Sequence, residues 1–303
     1  MQCSQGFNIA EEIPQLFWPT EWDSSKKDVT DEIKQFYEKT PFPDYDEFDD
    51  ANSLRLKSRK GIFAKLLDDQ IPLGYNVLEC GCGTGQLSNF LGLANRNVFA
   101  TDMCMNSLRL AQNFKIQNDI QNVAFLQMNL FRPCFSKEVF DLVISNGVLH
   151  HTSDPFAGYK SILQLVKPKG HIIIGLYHKY GRVLTDIRRF IFNMTKDRFR
   201  FLDGTISKDA SAKAKQESWF KDQYKNPHES KHTIAEILQW LDSTGVTFVK
   251  SIPKVELFEY ITEDTNLFSP DEVTSKFELT VVELGMITNY KEGGFFIVIG
   301  QKK

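Results

Sequence analysis

Two rhythms of apolar residues alternate along this chain. Short apolar runs suited to buried strands are separated by stretches in which apolar residues recur every three or four positions, as on one side of a helix. A helical pattern over 53–69, with Leu54, Ile62, Phe63, Leu66 and Leu67 as its buried side, leads into a strand at 76–80. A helix at 85–93, a strand at 97–101, a helix at 103–115, strands at 123–128 and 139–145, a helix at 154–166 and a strand at 171–176 follow. Such alternation specifies a parallel sheet with helices on both faces. After residue 178 the regularity lapses. It returns at Thr233-Ile234-Ala235-Glu236, read as a capping box that opens a helix to about Thr244, with a strand at 246–252 behind it. Ser269-Pro270-Asp271-Glu272 reads as a second capping box, opening a helix toward Tyr290. The last apolar run, 294–300, has no polar face, as a strand inserted between two others requires.

Ahead of this pattern, residues 1–30 mix Pro14, Pro19, Trp18 and Trp22 with acids and show no sustained period, so an irregular arm docked on the domain is expected. A short helix at 31–39 follows, then Pro41-Phe42-Pro43, whose prolines force an extended path. The chain divides into an arm or lid (1–52), a core (53–178), an insertion (179–231) and a C-terminal part of the core (232–303) with a helical insertion at about 254–290. Seven cations (Lys179, Arg182, Arg188, Arg189, Lys196, Arg198, Arg200) and two acids, interleaved with Leu184, Ile187, Phe190, Ile191, Phe192 and Phe199, open the first insertion. The plain expectation is a helix that packs its apolar stripe inward and leaves its arginines in water. An anionic acceptor, an RNA backbone or a lipid surface are the alternatives.

With 42% hydrophobic and 25% charged residues the composition is that of a globular protein. A net charge of -3 lacks the footprint of a general nucleic-acid binder. No apolar run approaches the roughly twenty residues that cross a bilayer, and no basic residue precedes the first apolar stretch, so a cytoplasmic location is expected. The five cysteines (Cys3, Cys80, Cys82, Cys104, Cys134) lack paired metal-site spacing, and no metal is expected.

The chemistry concentrates in Val77-Leu78-Glu79-Cys80-Gly81-Cys82-Gly83-Thr84-Gly85-Gln86-Leu87: a buried strand, a carboxylate at its end, glycine at alternate positions and the start of a helix. Glycine lets backbone turn tightly against a ligand, while free N–H groups at the helix start attract an anionic group. The dinucleotide fingerprint would place its third glycine one position later, at Gln86, so the spacing argues against NAD. Seventeen positions after Gly85, the run Val98-Phe99-Ala100-Thr101 ends in Asp102, a bidentate acceptor for two ribose hydroxyls. Together with residues 140–151 and the turn Leu165-Val166-Lys167-Pro168-Lys169-Gly170, these motifs resemble the class I S-adenosylmethionine-dependent methyltransferases. Lys169 departs from the family pattern, where glycine is common.

The resemblance implies a Rossmann-like doubly wound, mostly parallel seven-stranded sheet whose last strand is antiparallel, and S-adenosyl-L-methionine as cofactor. It implies that Glu79 and the backbone of Gly81, Cys82, Gly83, Thr84 and Gly85 hold the methionine part, and Asp102 the ribose. Met103 and Leu130 would cover the adenine faces and Asn129 its edge, with Asn146 near the sulfonium. Many relatives have Asp at the position of Asn129. Residues 36–45 resemble an aromatic-proline segment that lies over the cofactor in some methyltransferases.

Methyl transfer is an in-line displacement that needs positioning, and a base only where the acceptor is protonated. His150, His151 and Tyr37 are the candidate catalytic residues, with Tyr177 and His178 as competitors. The expected function is methyl transfer to a small or lipid-like acceptor. RNA methylation through 179–200, a non-catalytic cofactor- or partner-binding protein, and a nicotinamide oxidoreductase are the alternatives. The acceptor and the oligomeric state stay open.

Overall fold

The computed structural model describes residues 6–21, 28–43, 45, 49–204, 206, 213–257, 259–272, 275–288 and 294–303. Trp22, Cys3 and Tyr290, and part of the 205–212 stretch, lie outside them.

Strand and helix alternate as the apolar pattern requires: β1 (Asn8–Ala10), β2 (Ile13–Gln15), α1 (Thr30–Lys39), α2 (Ala51–Lys60), α3 (Ile62–Gln70), β3 (Asn76–Cys80), α4 (Gln86–Gly92), β4 (Asn97–Asp102), α5 (Met105–Gln117), β5 (Val123–Gln127), β6 (Phe140–Asn146), α6 (Pro155–Leu163), β7 (Val166–Tyr177), α7 (Val183–Thr195), α8 (Lys213–Lys225), α9 (Ile234–Ser243), β8 (Val246–Ile252), α10 (Lys276–Gly285) and β9 (Phe295–Lys302). They build one sheet of order β1-β2-β5-β4-β3-β6-β7-β9-β8. The pairs β5–β4, β4–β3, β3–β6 and β6–β7 are parallel, and β9 runs antiparallel to both neighbours. Neighbouring side chains part to opposite faces, as the strand period of two demands. Val77, Leu142, Ile144 and Ile173 enter one core, while Leu78, Val143, Ile172 and Ile174 enter the other. The chain order reverses at β3, so a ligand crevice is expected beyond the carboxyl ends of β3 and β6.

The sheet has nine strands where seven are expected. The extra two come from the N-terminal arm, whose three-residue strands are too short to show a period; β2 joins the edge at β5 through Gln15 beside Gln127. The helix expected over 53–69 is two helices, because Gly61 is extended (φ -86°, ψ 114°) and its N–H turns back to the Ser58 carbonyl. The capping box expected at Ser269 does not form. Asp271 is drawn instead to the buried ammonium of Lys250 and its N–H donates to the Val249 carbonyl, while the box that starts α10 is Ser275 with Glu278. At Thr233 the hydroxyl does accept the Glu236 N–H, but the Glu236 carboxylate goes to His232 rather than back to the cap. Lys169 sits at φ +62°, the left-handed conformation for which glycine is favoured at this turn.

The insertion reverses the expected polarity of its first helix. Arg182 is fully buried and bonds Glu229, itself 2% exposed, while Val183, Ile187, Phe190 and Met194 of α7 face outward. A buried carboxylate must be neutralised, and two arginines on one side of α7 reach Glu229, so that side turns inward. Phe192 follows them, packing on Phe220 and Tyr224 of α8 with Ile191 partly buried against the same cluster. Among the described residues no helix is long and apolar enough to cross a membrane.

Candidate active site

A cavity of about 650 Å³ opens beyond the carboxyl ends of β3, β4, β5, β6 and β7. That lies in the range of roughly 300–1,000 Å³ typical of small-molecule sites.

One end is built by the glycine turn. Gly81, Gly83 and Gly85 have φ of +78°, +53° and +74°, so each needs a residue without a Cβ. A Cβ on Gly83 would stand 2.3 Å from the Phe42 carbonyl oxygen, because the arm crosses the turn there. The Asp102 carboxylate accepts the Gly83 N–H at 2.9 Å on one oxygen and the Cys104 N–H at 2.8 Å on the other. Each oxygen keeps acceptor capacity for a hydroxyl. Glu79 is buried, bonded by the Ser88 hydroxyl, and burial pushes its carboxyl up to about 7 against the partial offset of that bond. No ion pair to Glu79 forms among the described residues, and the Asn146 Oδ1 is buried without a partner. Buried acceptors that lack a cation, beside a carboxylate at a strand end, suit a ligand that brings positive charge and hydroxyls.

Gly81, Cys82, Met103, Leu130, Asn129 and Asn146 line this cavity with Glu79, Gly83 and Asp102. Thr84 and Gly85 do not. Thr84 is buried with its hydroxyl on the Pro43 carbonyl, and Gly85 is the left-handed residue from which α4 starts. The side chain of Asn129 is already engaged: its amide donates to the Trp18 carbonyl at 2.7 Å and the Thr20 hydroxyl at 2.9 Å, and its oxygen accepts the Phe131 N–H. Burial pushes the Cys82 thiol well above its ordinary value, which keeps it neutral in the cavity wall.

The other end is polar at its base and aromatic above. Tyr37 on α1 donates to Asp222 on α8 at 2.8 Å and accepts from the Asn226 amide at 2.9 Å. Gln223 donates to Asp222 at 3.0 Å and to the Tyr177 hydroxyl at 2.7 Å, and Arg182 lies over the Tyr177 ring at 3.9 Å. Burial raises the Asp222 carboxyl and drives the Tyr37 hydroxyl well above its usual range. The arm and the insertion therefore meet over the cavity, a contact extended by Ser218 to the Pro41 carbonyl and by Trp219 beside Phe42.

The histidine pair separates into two environments. The ring of His151 lines the cavity and its Nδ1 is 2.8 Å from the His228 carbonyl. A carbonyl can only accept, so Nδ1 carries the proton and Nε2 the lone pair of the neutral ring. Burial lowers its pKa below the ordinary 6.5 even with Asp222 nearby. His150 lies behind it, fully buried against the Tyr177 ring at 4.3 Å, with neither ring nitrogen bonded and its pKa pushed well down by burial. It does not line the cavity. His178 also stays away from it, edge-on to Phe296 with Nδ1 accepting the Tyr180 N–H at 3.3 Å.

Sequence reasoning missed Asp222, Gln223, Asn226 and Trp219. They sit on and just after α8, whose apolar residues show little segregation to one side, so nothing in the local pattern marks which polar groups turn inward.

A family model described as a methyltransferase domain matches residues 73–245. The chain is 24% identical over 197 residues to an uncharacterized protein of Synechococcus sp., covering 57% of this chain and 47% of that one. It is 29% identical over 110 residues to the ubiquinone biosynthesis O-methyltransferase of Haemophilus ducreyi, covering 35% of this chain and 47% of that one. This chain therefore spans about half the length of the curated relatives it matches. A solved S-adenosylmethionine-dependent methyltransferase from Mesorhizobium loti aligns with a TM-score of 0.49 at 14% identity, over 81% of this chain and all of that one.

Proposed function

The chain belongs to the methyltransferase-domain family, matched over more than half its length, and from this premise we propose that it transfers the methyl group of S-adenosylmethionine to a small, largely apolar acceptor bearing a hydroxyl. S-adenosylmethionine is the cofactor that membership implies, and its sulfonium supplies an activated methyl group. The observation that carries the proposal is continuity: one cavity runs from Glu79, Gly83 and Asp102 to Tyr37, His151 and Asp222.

Asp102 would take the ribose hydroxyls, Glu79 and the turn backbone the amino-acid part, and Met103 and Leu130 the base. Asn146 lines the cavity, and its buried, unpartnered oxygen favours positive charge nearby. His151 is the base in this reading. Its tautomer is set by the His228 carbonyl, its depressed pKa keeps it neutral near pH 7, and Nε2 would accept the acceptor's hydroxyl proton as the oxygen attacks. Tyr37, its ring 6.0 Å from that of His151, and Asp222 orient the acceptor beside the base, and Phe42 and Trp219 exclude water above it.

The reading with RNA as acceptor loses its main support. Arg182 and Arg189 are spent on Glu229, and Arg200 pairs with Glu217 at 2.7 Å. The relation to ubiquinone biosynthesis O-methyltransferases favours oxygen as the atom methylated.

Calorimetric titration with S-adenosylhomocysteine tests the site. Binding by the wild-type protein, its loss in Asp102→Ala, and no heat with NAD are the expected outcomes. No binding by freshly prepared, folded protein, or undiminished binding in Asp102→Ala, would remove the reading.

A further inference from the structure

The outward face of α7 carries Val183, Ile187, Phe190 and Met194, 37%, 51%, 65% and 71% exposed. Their spacing of four, three and four places them in one stripe along the helix. Phe199, Phe201 and Leu202, all exposed, extend it beyond the helix end. Scattered exposed apolar residues are ordinary on a protein surface, but a continuous stripe of this kind marks a contact surface.

The exposure is built into the fold. Arg182 donates from Nε and Nη2 to Glu229 at 3.1 and 2.7 Å, and Arg189 reaches the same carboxylate at 2.9 Å. Turning the stripe inward would strand Glu229 without its cations, so the helix is held with its apolar side out.

Charge selects the occupant. Lys179 precedes the stripe and Lys196 and Arg198 follow it; all three are exposed, and none forms an ion pair among the described residues. The acids of this stretch are already neutralised, Asp186 by Lys231 at 2.6 Å and Asp197 by Lys225 at 2.8 Å. Two copies packed stripe to stripe would set these cationic ends against each other. An exposed apolar helix face, cationic at both ends, matches an anionic lipid surface, where the side chains enter the acyl boundary and the cations meet phosphates. We infer that α7 and the turn after it dock the protein on anionic membranes, with no part played by the cavity.

The test is flotation of the full chain with vesicles of phosphatidylcholine alone or with phosphatidylglycerol added. Wild-type protein is expected to float with the anionic vesicles and not with the neutral ones. Phe190→Ser with Met194→Ser should weaken that binding by at least roughly tenfold, since two exposed anchors lose their transfer free energy. Lys196→Gln with Arg198→Gln should weaken it about 30-fold. Phe277→Ser, at an apolar residue 75% exposed on α10, should leave it unchanged. All these positions are at the surface, and unchanged melting temperatures check that the variants fold. Absence of vesicle binding by the wild type, or binding that ignores both double variants, overturns the inference. So does a wild-type dimer that the Phe190 and Met194 changes dissolve while no vesicles are bound, since the stripe would then join two copies.

Discussion

Replacing Arg182 by Met should destabilise the protein by about 3–5 kcal/mol, the cost of removing one partner from a buried ion pair. Arg182 is fully buried, holds Glu229 through two nitrogens, reaches the Gln223 side chain at 2.5 Å and covers the Tyr177 ring. Met fills a similar volume, so the loss comes from the stranded carboxylate rather than from a cavity. Arg189 stays beside Glu229 but is partly solvated, which places the effect toward the lower end. At about 2 °C per kcal/mol for a chain of this size, the midpoint should fall by roughly 6–10 °C.

The pH dependence identifies the cause. Burial alone would raise the Glu229 carboxyl, but Arg182 and Arg189 outweigh it and hold the carboxyl below its ordinary 4.5. In the wild type, therefore, its contribution is fully present above 4.5 and lost as pH falls through the lower folded value. Without Arg182 burial prevails, the folded value rises above the unfolded one, and the deficit grows as pH climbs past 4.5. Urea unfolding of both proteins at pH 5 and pH 7.5 measures this directly. The deficit should be larger at pH 7.5, and adding Glu229→Gln should recover part of it. A loss below about 1 kcal/mol, a deficit larger at pH 5, or simple additivity in the double variant would refute the reasoning.

Two further outcomes follow from the titrating groups of the cavity. With its carboxyl raised to about 7 by burial, Glu79 is roughly half protonated at pH 7, and a ligand ammonium favours the charged form, so S-adenosylhomocysteine should release about half a proton on binding. Titration in buffers of different ionisation enthalpy reads this number, Glu79→Gln should abolish it, and proton uptake would contradict it. For His151, nitrogen chemical shifts should show a neutral ring protonated at Nδ1 that persists below pH 6.5 and takes up its second proton only under more acidic conditions. A ring protonated at Nε2, or already cationic at pH 7, would exclude it as the base.

The local rhythm of the chain determined most of the core. Strand-forming runs buried on both faces and helices of period three to four are short-range properties, and β3, β4, β6 and β8 fall within a residue or so of where that rhythm puts them. The geometry of the glycine turn was equally legible, because glycines at positive φ and a carboxylate at a strand end are constraints that adjacent residues satisfy by themselves. The other end of the cavity was not. Asp222 and Asn226 meet Tyr37 across more than 180 positions, and no periodicity encodes a hydrogen bond between an arm and an insertion. His150 and His151 are neighbours in sequence, yet only the packing of Tyr177 against one and the His228 carbonyl against the other separates a buried ring from a cavity-lining one. The orientation of α7 was also decided in three dimensions. Its apolar stripe would ordinarily face the core, but the desolvated charge of Glu229 requires both arginines, and neutralising that buried charge outweighs hiding four apolar side chains.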